Sequence, residues 1–335
     1  MQGFYGKKSP NGTHRREPHE RKKHMNEHIY DMIIIGGGPA GYTAALYASR
    51  AGIDTLVIER MSVGGQMSVT DVIDNYPGFP EGVDGFTLGM KMQESAARFG
   101  AKTEYASVTA AMLDRAVKEL TTDRGIFYAK TVVIATGAEP RTLGLSNEGD
   151  LIGRGVHYCA HCDGRFYKGK TVAVIGGGNS AVGDALYLSR LAEKVYLIHR
   201  RDTLRATDIY HEPLMQNEAI TFLGSKAVTA LHESGKLNAV TVTDVKTGEE
   251  TLLPVDGVFV SIGRTPTAGL FAGQIDLDDA GYIIADETTR TSLPGVFAIG
   301  DVRTKPLRQV VTAVADGAVA VEFAEKYLEQ FPKNM

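Results

Sequence analysis

The chain has 335 residues, a formal net charge of −4 and 43% hydrophobic residues. Its length suggests two domains, and this ordinary globular composition excludes disorder of the whole chain. The mildly acidic balance argues against nucleic acid as a partner. Two Cys cannot form a disulfide scaffold in a chain of this size, and no signal or membrane-spanning stretch is recognised. We therefore expect a cytoplasmic protein with no membrane partner.

The first 24 residues differ in composition from the rest. They contain seven Lys or Arg and two acids, a net charge of +5, which leaves −9 for the remaining chain. Because they show no hydrophobic period, residues 1–24 are expected to be a disordered basic leader. An extension without function, or a start at Met25, is favoured over a contact with an acidic partner or a metal.

A glycine-rich motif occurs twice, 140 residues apart. Residues 31–41 read Asp-Met-Ile-Ile-Ile-Gly-Gly-Gly-Pro-Ala-Gly, and residues 171–181 read Thr-Val-Ala-Val-Ile-Gly-Gly-Gly-Asn-Ser-Ala. Between 35–60 and 175–200, 11 of 26 positions are identical. A buried strand ending in such a turn lets backbone approach a pyrophosphate, and the next helix points its N-terminus at the phosphates. Two copies favour two dinucleotide sites over tight turns without a ligand.

The two copies differ where their second strand ends. Glu59 ends that strand in the first copy, and its carboxylate can accept hydrogen bonds from the ribose of an unphosphorylated adenosine. The equivalent position in the second copy is His199. Arg200, Arg201 and Arg205 follow it, and their guanidinium groups can clamp a 2′-phosphate. The first site is therefore expected to bind FAD or NAD and the second NADP; the alternative for the arginines is a solvated charged turn.

The remaining apolar segments complete a doubly wound α/β pattern. Residues 131–137, 257–263 and 294–300 predict strands that end in Gly, and residues 310–330 have helical spacing. The first two segments are interpreted as the last strands of the two repeats. Asp301 follows the third, where a carboxylate suits a ribose or ribityl hydroxyl.

Cys159 and Cys162 are separated by two residues and followed by Asp163. In a reducing compartment such a pair is usually catalytic or metal-binding. Adding His157 and His161 would give zinc four ligands, but this spacing leaves no loop to surround an ion, so no metal is expected. A redox-active disulfide is favoured over inert buried thiols. Asp163 could move protons to and from the dithiol, or it could simply form a turn.

Together these motifs resemble the low-molecular-weight thioredoxin reductases. The resemblance covers about residue 29 to the C-terminus, through segments 36–41, 64–66, 74–78, 135–137, 159–163, 176–181, 199–205, 263–266, 300–301 and 308–309. It implies two Rossmann-like dinucleotide-binding domains, the second inserted in the first. The FAD domain would comprise 25–138 and 268–335, and the NADPH domain, with the dithiol, 139–267. A homodimer is also implied.

The repeats and the resemblance give two sets of candidate cofactor-binding residues. Those associated with the first repeat are Gly36, Gly38, Pro39, Ala40, Gly41, Glu59, Arg60, Gly65, Gln66, Asn75, Thr136, Gly137, Gly300, Asp301, Arg308, Gln309 and Val310. Those associated with the second are Gly178, Asn179, Ser180, Ala181, His199, Arg200, Arg201, Arg205, Ile262 and Gly263.

The resemblance also implies a reaction, in which NADPH reduces FAD, FAD reduces the Cys159–Cys162 disulfide, and the dithiol reduces thioredoxin. Cys162 would lie nearer the flavin, Cys159 would attack thioredoxin, and Asp163 would be the acid–base group. One domain would rotate between two states about hinges near residues 139 and 267. His161 is less usual at its position than a small polar residue, and a protonated imidazole stabilises a neighbouring thiolate.

Other functions stay open at this point. The same sites would serve a flavoprotein dithiol oxidase, or a reductase of another small dithiol protein. A redox sensor would need the dithiol without fast turnover. A relative that reduces ferredoxin would have no use for the two Cys.

Overall fold

The computed structural model describes residues 25–70 and 72–332; the predicted basic leader, 1–24, lies outside them. The described chain forms strands β1 (Met25–Ile35), β2 (Thr55–Glu59), β3 (Lys102–Tyr105), β4 (Val108–Met112), β5 (Lys118–Thr122), β6 (Ile126–Ile134), β7 (Ala138–Pro140), β8 (Val156–His157), β9 (Thr171–Ile175), β10 (Lys194–Ile198), β11 (Ile220–Leu223), β12 (Lys226–Glu233), β13 (Leu237–Asp244), β14 (Glu250–Pro254), β15 (Gly257–Val260), β16 (Arg264–Pro266) and β17 (Val296–Ala298). Its α-helices are α1 (Pro39–Arg50), α2 (Gly85–Ala97), α3 (Ala160–Asp163), α4 (Asn179–Leu188), α5 (His211–Met215) and α6 (Val310–Glu329).

The first sheet is built around the first glycine-rich repeat. Its strands have the order β3-β2-β1-β6-β5-β4, and β17 pairs with β6. The central strand β1 is parallel to both neighbours, so that Ile35 lies level with Ile58 and with Ile134. Parallel strands covered on both faces are continuously apolar, which is why 32–35 and 131–134 could be recognised as strands.

The second sheet repeats this arrangement around the second motif. Its order is β11-β10-β9-β15-β8, and all neighbouring pairs are parallel. Ile175 lies level with Ile198 and with Val260, as Ile35 does with its neighbours. The sequence repeat is therefore a structural repeat, and the predicted α/β fold with two Rossmann-like units is confirmed.

Two short strands lie where the chain passes between the two sheets. β7 follows the first sheet and β16 follows the second, and they pair antiparallel, with Ala138 opposite Pro266. A separate antiparallel sheet, β12-β13-β14, occupies the second half of the insertion. The domain boundaries at 138/139 and 267/268 stay a prediction.

The long helices α1 and α6 pack against each other on one face of the first sheet. Both contribute apolar side chains to one buried cluster with β1 and β2, including Ala44, Val57 and Ala320. A Cβ on Gly317 would lie 2.5 Å from the Ala40 carbonyl oxygen, so this glycine permits the close approach. The predicted helix at 310–330 is confirmed as α6. Within the described segments, no helix is long and apolar enough to span a membrane.

Candidate functional site

The first glycine-rich turn, between β1 and α1, leaves backbone open to a ligand. Gly36 has a φ of +110°, and a Cβ there would lie 2.4 Å from the Ala135 carbonyl oxygen. A Cβ on Gly41 would lie 1.9 Å from the Gly36 carbonyl oxygen, whereas one on Gly38 would meet no atom within 4 Å. Two glycines are thus required by close packing, while Gly38 faces open space. This is the arrangement that lets a pyrophosphate approach the backbone.

The N-terminus of α1 is electrostatically suited to an anion. Pro39 lies in its first turn, and the N-cap residue Gly38 offers no side chain to bind the free N–H groups. The first turn also holds no acidic residue. Helix N-termini carry a partial positive charge and unpaired N–H groups. The predicted residues Pro39, Ala40 and Gly41 therefore lie where phosphate oxygens would be bound.

Glu59 lies beside this turn, at the end of β2. Its Oε2 accepts a hydrogen bond from the Gly37 amide at 2.6 Å, and its Oε1 accepts one from the Met61 amide at 3.0 Å. The carboxylate is therefore fixed against the glycine turn at the ribose-binding position of this fold. Arg60 points elsewhere: its guanidinium lies 3.8 Å from the Glu139 carboxylate, and both side chains are exposed.

Segments distant in sequence close around the same turn. The Gly64 amide donates to the Gly37 carbonyl at 2.9 Å, and a Cβ on Gly65 would lie 3.3 Å from the Gly38 Cα. A Cβ on Gly300 would lie 3.1 Å from the Ala40 Cβ. The structure thus brings the predicted residues of segments 36–41, 64–66 and 300–301 together at one edge of the first sheet.

Asp301 follows Gly300 in the 3-10 helix Gly300–Val302. Burial raises the pKa of its carboxyl, against the opposing charges of Arg264, Arg308 and Lys305. A half-buried carboxyl at the mouth of this turn is available to hydroxyl groups of a ligand.

A buried charge network, which the sequence analysis missed, holds this loop. Asp316 of α6 accepts hydrogen bonds from the Gly300 amide at 2.8 Å, from Arg303 at 2.8 and 2.9 Å, and from the Lys305 ammonium at 2.8 Å. Burial alone would raise the pKa of Asp316, but the hydrogen bonds from both cations outweigh it and lower the pKa. The sequence does contain an indication of this network, because Asp316 is the single acidic residue in the otherwise largely apolar run 310–321.

The other candidates of the first set make contacts between segments. Asn75 donates to the Gln309 side chain at 3.1 Å, and Thr136 donates to the Thr267 carbonyl at 2.7 Å. The remaining contacts are Gly137 carbonyl with the Thr267 amide, Gln66 with the Ala138 carbonyl and with Arg264, Arg308 with the face of the Tyr282 ring, and Val310 with the apolar cluster around Met67 and Leu88.

The second glycine-rich turn has the geometry of the first. Gly176 has a φ of +151°, and a Cβ there would lie 2.3 Å from the Ser261 carbonyl oxygen, while Gly178 again faces open space. No side chain caps α4, and its first turn holds no acid. Asn179 and Ser180 open the helix, and Ala181 is buried in the core beneath it. The N-terminus of α4 is thus suited to an anion in the same way as that of α1.

His199 takes the place that Glu59 has in the first unit. A Cβ on Gly177 would lie 2.5 Å from its ring. The ring is buried, and its Nε2 is an orphan with no hydrogen-bond partner among the described residues. Burial, followed by the charges of Arg205, Arg201 and Arg200, lowers its pKa. A buried Nε2 without a partner in the described segments marks a place where a ligand could supply one.

The arginine segment folds back over the second turn. The amides of Arg205 and Ala206 donate to the Gly177 carbonyl at 2.6 and 3.1 Å, and the Thr207 amide donates to the Asn179 side chain at 2.9 Å. Arg200, Arg201 and Arg205 are exposed, and across residues 25–70 and 72–332 none of them forms an ion pair with an acid. Ile262 and Gly263 follow the neighbouring strand β15 at the same edge of the sheet.

Cys159 and Cys162 form a disulfide at the start of α3. Cys159 precedes the helix as its N-cap, and its Sγ lies 3.2 Å from the Cys162 amide. Nowhere in the described part of the chain do three or more His, Cys, Asp or Glu side chains form a metal site.

The two histidines near the disulfide have separate surroundings. His157 Nδ1 lies 3.1 Å from Asp163 Oδ2, and the His157 side chain is buried. His161 stacks on Tyr187, with ring centroids 4.3 Å apart, and its Nδ1 lies 3.8 Å from Asp184. Burial raises the pKa of Asp184, opposed by its hydrogen bond from Ser261. Of the four candidate zinc ligands, the two Cys are therefore joined to each other, while His157 and His161 contact other residues.

One ion pair joins the disulfide segment to the segment that holds Asp74 and Asn75. Arg165, three residues after Cys162, pairs with Asp74, which precedes Asn75. Asn75 in turn contacts Gln309. The ion pair thus connects the disulfide segment to a part of the first unit that also contacts Gln309, the N-cap residue of α6.

Comparison with known proteins agrees with this arrangement. Residues 30–317 match the family described as pyridine nucleotide-disulphide oxidoreductase. The chain belongs to this family. Among its members, a thioredoxin reductase of Listeria monocytogenes is 45% identical over 310 residues, which are 92% of this chain and 97% of that protein.

Solved structures of the same family show the same fold. A thioredoxin reductase from Streptococcus pyogenes has a TM-score of 0.84 and 43% identity, covering 90% of this chain and 99% of that one. The Lactococcus lactis thioredoxin reductase in its FR conformation has 42% identity and the same 90% and 99% coverage, but a TM-score of 0.64. The resemblance to thioredoxin reductases that the sequence motifs predicted is confirmed. The roles of individual residues stay predictions.

Proposed function

We propose that this pyridine nucleotide-disulphide oxidoreductase is an NADPH-dependent, FAD-containing thioredoxin-disulfide reductase. The observation that carries the proposal is the Cys159–Cys162 disulfide, in a chain whose two glycine-rich turns both have the geometry of a dinucleotide site. Similarity over nearly the full length of thioredoxin reductases supports the same function.

The first site fits FAD better than a phosphorylated nucleotide. Glu59 places a carboxylate at the ribose position, where a 2′-phosphate would be repelled. The open face of Gly38 and the uncapped N-terminus of α1 suit the pyrophosphate. Asp301 offers a carboxyl to hydroxyl groups along the cofactor. When bound, FAD supplies two-electron chemistry between a nicotinamide and a disulfide.

The second site fits NADPH. Arg200, Arg201 and Arg205 are exposed and form no ion pair with an acid among the described residues, and the Arg205 amide donates to the second turn at Gly177. Their guanidinium groups are therefore free to make charge-assisted contacts to a 2′-phosphate. The ring of His199 lies against Gly177 of that turn, and its Nε2 has no hydrogen-bond partner in the described part of the chain. This site has no carboxylate that corresponds to Glu59, so it does not repel the phosphate.

The dithiol carries out the last step by thiol–disulfide exchange. The Cys159 thiolate attacks one sulfur of the thioredoxin disulfide, that S–S bond breaks, and the released thioredoxin sulfur takes a proton. Cys162 then attacks Cys159, which reforms the internal disulfide and releases the second thiol of thioredoxin. Asp163, next to Cys162, is proposed as the group that moves the protons.

A domain rotation belongs to the proposal, because one face of the flavin cannot serve the nicotinamide and the dithiol at the same time. The pairing of β7 with β16, at the only two crossings between the sheets within the described residues, supports hinges near 139 and 267. Two thioredoxin reductases of almost equal identity differ in TM-score, 0.84 against 0.64, which supports two arrangements within the family. The predicted domains, 25–138 with 268–335 and 139–267, are the moving bodies of this proposal.

Two further parts of the proposal come from the resemblance and the composition. The chain is proposed to act as a homodimer, which sedimentation velocity would test by a mass of about twice 36.1 kDa. A cytoplasmic location is proposed because a dithiol that cycles between oxidised and reduced forms needs a reducing compartment.

The deciding experiment is anaerobic NADPH oxidation by the purified flavoprotein, with and without oxidised thioredoxin. Turnover should require thioredoxin and disappear in Cys159→Ser. Cys162→Ser, which keeps the attacking sulfur but cannot release the product, should accumulate a mixed disulfide with thioredoxin. Flavin reduction by NADPH without thioredoxin-dependent turnover would indicate another dithiol protein as acceptor. Absence of flavin reduction would refute the assigned electron donor.

A further inference from the structure

A two-residue link holds the arginine segment of the second nucleotide site. Gly224 and Ser225 connect β11 of the parallel sheet to β12 of the antiparallel sheet. The Ser225 amide donates a hydrogen bond to the Arg201 carbonyl at 3.0 Å, and the Ser225 hydroxyl donates one to Oδ1 of Asp202. A Cβ on Gly224 would lie 3.1 Å from the Asp202 carbonyl oxygen, so the two segments are in close contact. One serine thus binds two consecutive residues of the segment that carries the arginines.

The link is itself fixed by the antiparallel sheet. The Ser225 carbonyl accepts a hydrogen bond from the Val245 amide at 2.8 Å, and Ser225 is 6% exposed. Next to it, the Lys226 amide donates to the His199 carbonyl at 3.0 Å. The segment 199–202 therefore lies along the link and cannot shift without breaking these bonds.

Ser225 adopts a backbone conformation that is costly for a serine. Its φ is +54°, and it is one of two non-glycine residues with a positive φ in the described part of the chain. Glycine would adopt this conformation without the steric cost of a Cβ, but it would lack the hydroxyl that binds Asp202. A strained residue of this kind indicates that its side chain is needed where it stands.

Asp202 is an acid in a segment of three arginines. Its charge alone would repel the phosphate that those arginines are proposed to bind. Both of its oxygens have partners, however, because Oδ1 accepts from Ser225 and Oδ2 accepts from the Lys246 ammonium at 2.6 Å. The hydrogen bonds from Lys246 and from Ser225 lower the pKa of Asp202, so the carboxylate is an ionised acceptor at neutral pH. It therefore serves to anchor the segment.

We propose that Ser225, acting through Asp202 and the Arg201 carbonyl, is the positioning residue that holds Arg200 and Arg201 for a 2′-phosphate and so sets the preference for a phosphorylated nucleotide. The inference rests on the proposed function, because that function assigns NADPH to the second site. The Ser225 hydroxyl is already bound to Asp202, so it acts through its neighbours. Arginine side chains are long and flexible, and fixing the backbone that carries them reduces the ordering that binding must supply.

Positioning and charge predict opposite effects at Asp202. Asp202→Ala removes a negative charge beside the arginines, so by charge alone a 2′-phosphate should bind more tightly. If Asp202 is the anchor, its loss releases the segment and the phosphate binds more weakly. Asp202→Asn keeps an oxygen that can accept from Ser225, and it should therefore restore the affinity.

Three further variants separate positioning from folding. Ser225→Ala removes the hydroxyl and keeps the backbone strain, whereas Ser225→Gly removes both. The glycine variant should therefore be at least as stable as the alanine variant, while both lose the same affinity. Lys246→Met removes only the exposed end of the network. The Lys246 and Asp202 side chains are each 61% exposed, so this ion pair should contribute little.

The measurement is isothermal titration calorimetry of the holoenzyme with adenosine 2′,5′-bisphosphate and with 5′-AMP, which differ only in the 2′-phosphate. The wild type should bind the bisphosphate more tightly. Its Kd should rise roughly five- to tenfold in Ser225→Gly, Ser225→Ala and Asp202→Ala, since a hydrogen bond to a charged group is lost. Asp202→Asn and Lys246→Met should stay within about twofold of wild type. The Kd for 5′-AMP should be the same in all of them, and thermal melts of the same samples give Tm.

Several outcomes would overturn the inference. Tighter binding of the bisphosphate to Asp202→Ala would show that Asp202 acts by its charge. An unchanged Kd in Ser225→Gly, or an equal rise for both ligands, would remove the positioning role, and so would an affinity loss that follows Tm across the two serine variants. If Asp202→Ala does not fold, the serine variants decide by themselves. A wild type that binds both ligands equally contradicts the NADPH assignment of the proposed function instead, and removes the preference that Ser225 is proposed to set.

Discussion

The loop that presents Gly300 and Asp301 depends on one buried carboxylate. In Asp316→Ala the Gly300 amide, the Arg303 guanidinium and the Lys305 ammonium lose their shared acceptor. The side chains of both cations are 4% exposed, so neither can turn to water where it stands. Removing one partner of such a buried pair costs about 3–5 kcal/mol, because the remaining charge is left uncompensated.

That cost should appear both in stability and in cofactor retention. A loss of about 3–5 kcal/mol lowers Tm by roughly 6–20 °C in a domain of 150–250 residues. FAD should dissociate from Asp316→Ala on dialysis, because its binding would have to reorder the released loop. Tm from circular dichroism and the ratio of flavin to protein absorbance measure the two effects. Asp279→Asn, which removes an exposed carboxylate from a surface turn, is the matched control.

The pH dependence gives this prediction a second test. The folded pKa of Asp316 lies below its ordinary value, so its stabilisation is complete above the unfolded value of about 4 and is lost as pH falls through the folded one. Wild type should therefore lose more stability than Asp316→Asn on acidification through this window. A variant that keeps FAD with wild-type affinity, and whose Tm lies within about 2 °C of wild type at neutral pH, would refute the reasoning.

Two other predictions concern charge. Arg200→Ala combined with Arg201→Ala should raise the KM for NADPH about tenfold or more and leave that for NADH unchanged, because only NADPH carries the 2′-phosphate; equal losses in steady-state assays with both cofactors would contradict the assignment. Lys118 is fully buried, and burial lowers its pKa to about 8. Stability should therefore rise with pH between about 8 and 10.5, where the unfolded chain binds the extra proton. Lys118→Met should flatten this rise in denaturant titrations, and an unchanged slope would refute it.

Local pattern was sufficient to predict the two glycine turns and their strands. Buried parallel strands are apolar at every position, and the residues that permit the turn follow directly in sequence, so Gly36 and Gly176 need no tertiary knowledge. The contrast between Glu59 and His199 was equally local, because both lie at a fixed distance from their glycines. The structure places each of them against its own turn.

The supporting contacts could not be predicted, because they join segments whose proximity only the fold creates. Arg165 and Asp74 are 91 positions apart, and no periodicity relates them. Asp316 reaches Gly300 only because α6 packs back across α1 beside the first turn. Sequence pattern indicates which face of an element is buried but not which polar group meets which across an interface.

His157 shows how such contacts change the chemistry assigned to a residue. From spacing alone it was one of four possible zinc ligands, a hypothesis that depended on the two Cys and His161 nearby. In the structure its Nε2 is hydrogen-bonded to the hydroxyl of Tyr167, ten residues further along the chain, and its Nδ1 lies 3.1 Å from the Asp163 carboxylate. The direction of the ring therefore decides which groups the imidazole meets, and its position in the sequence does not give that direction.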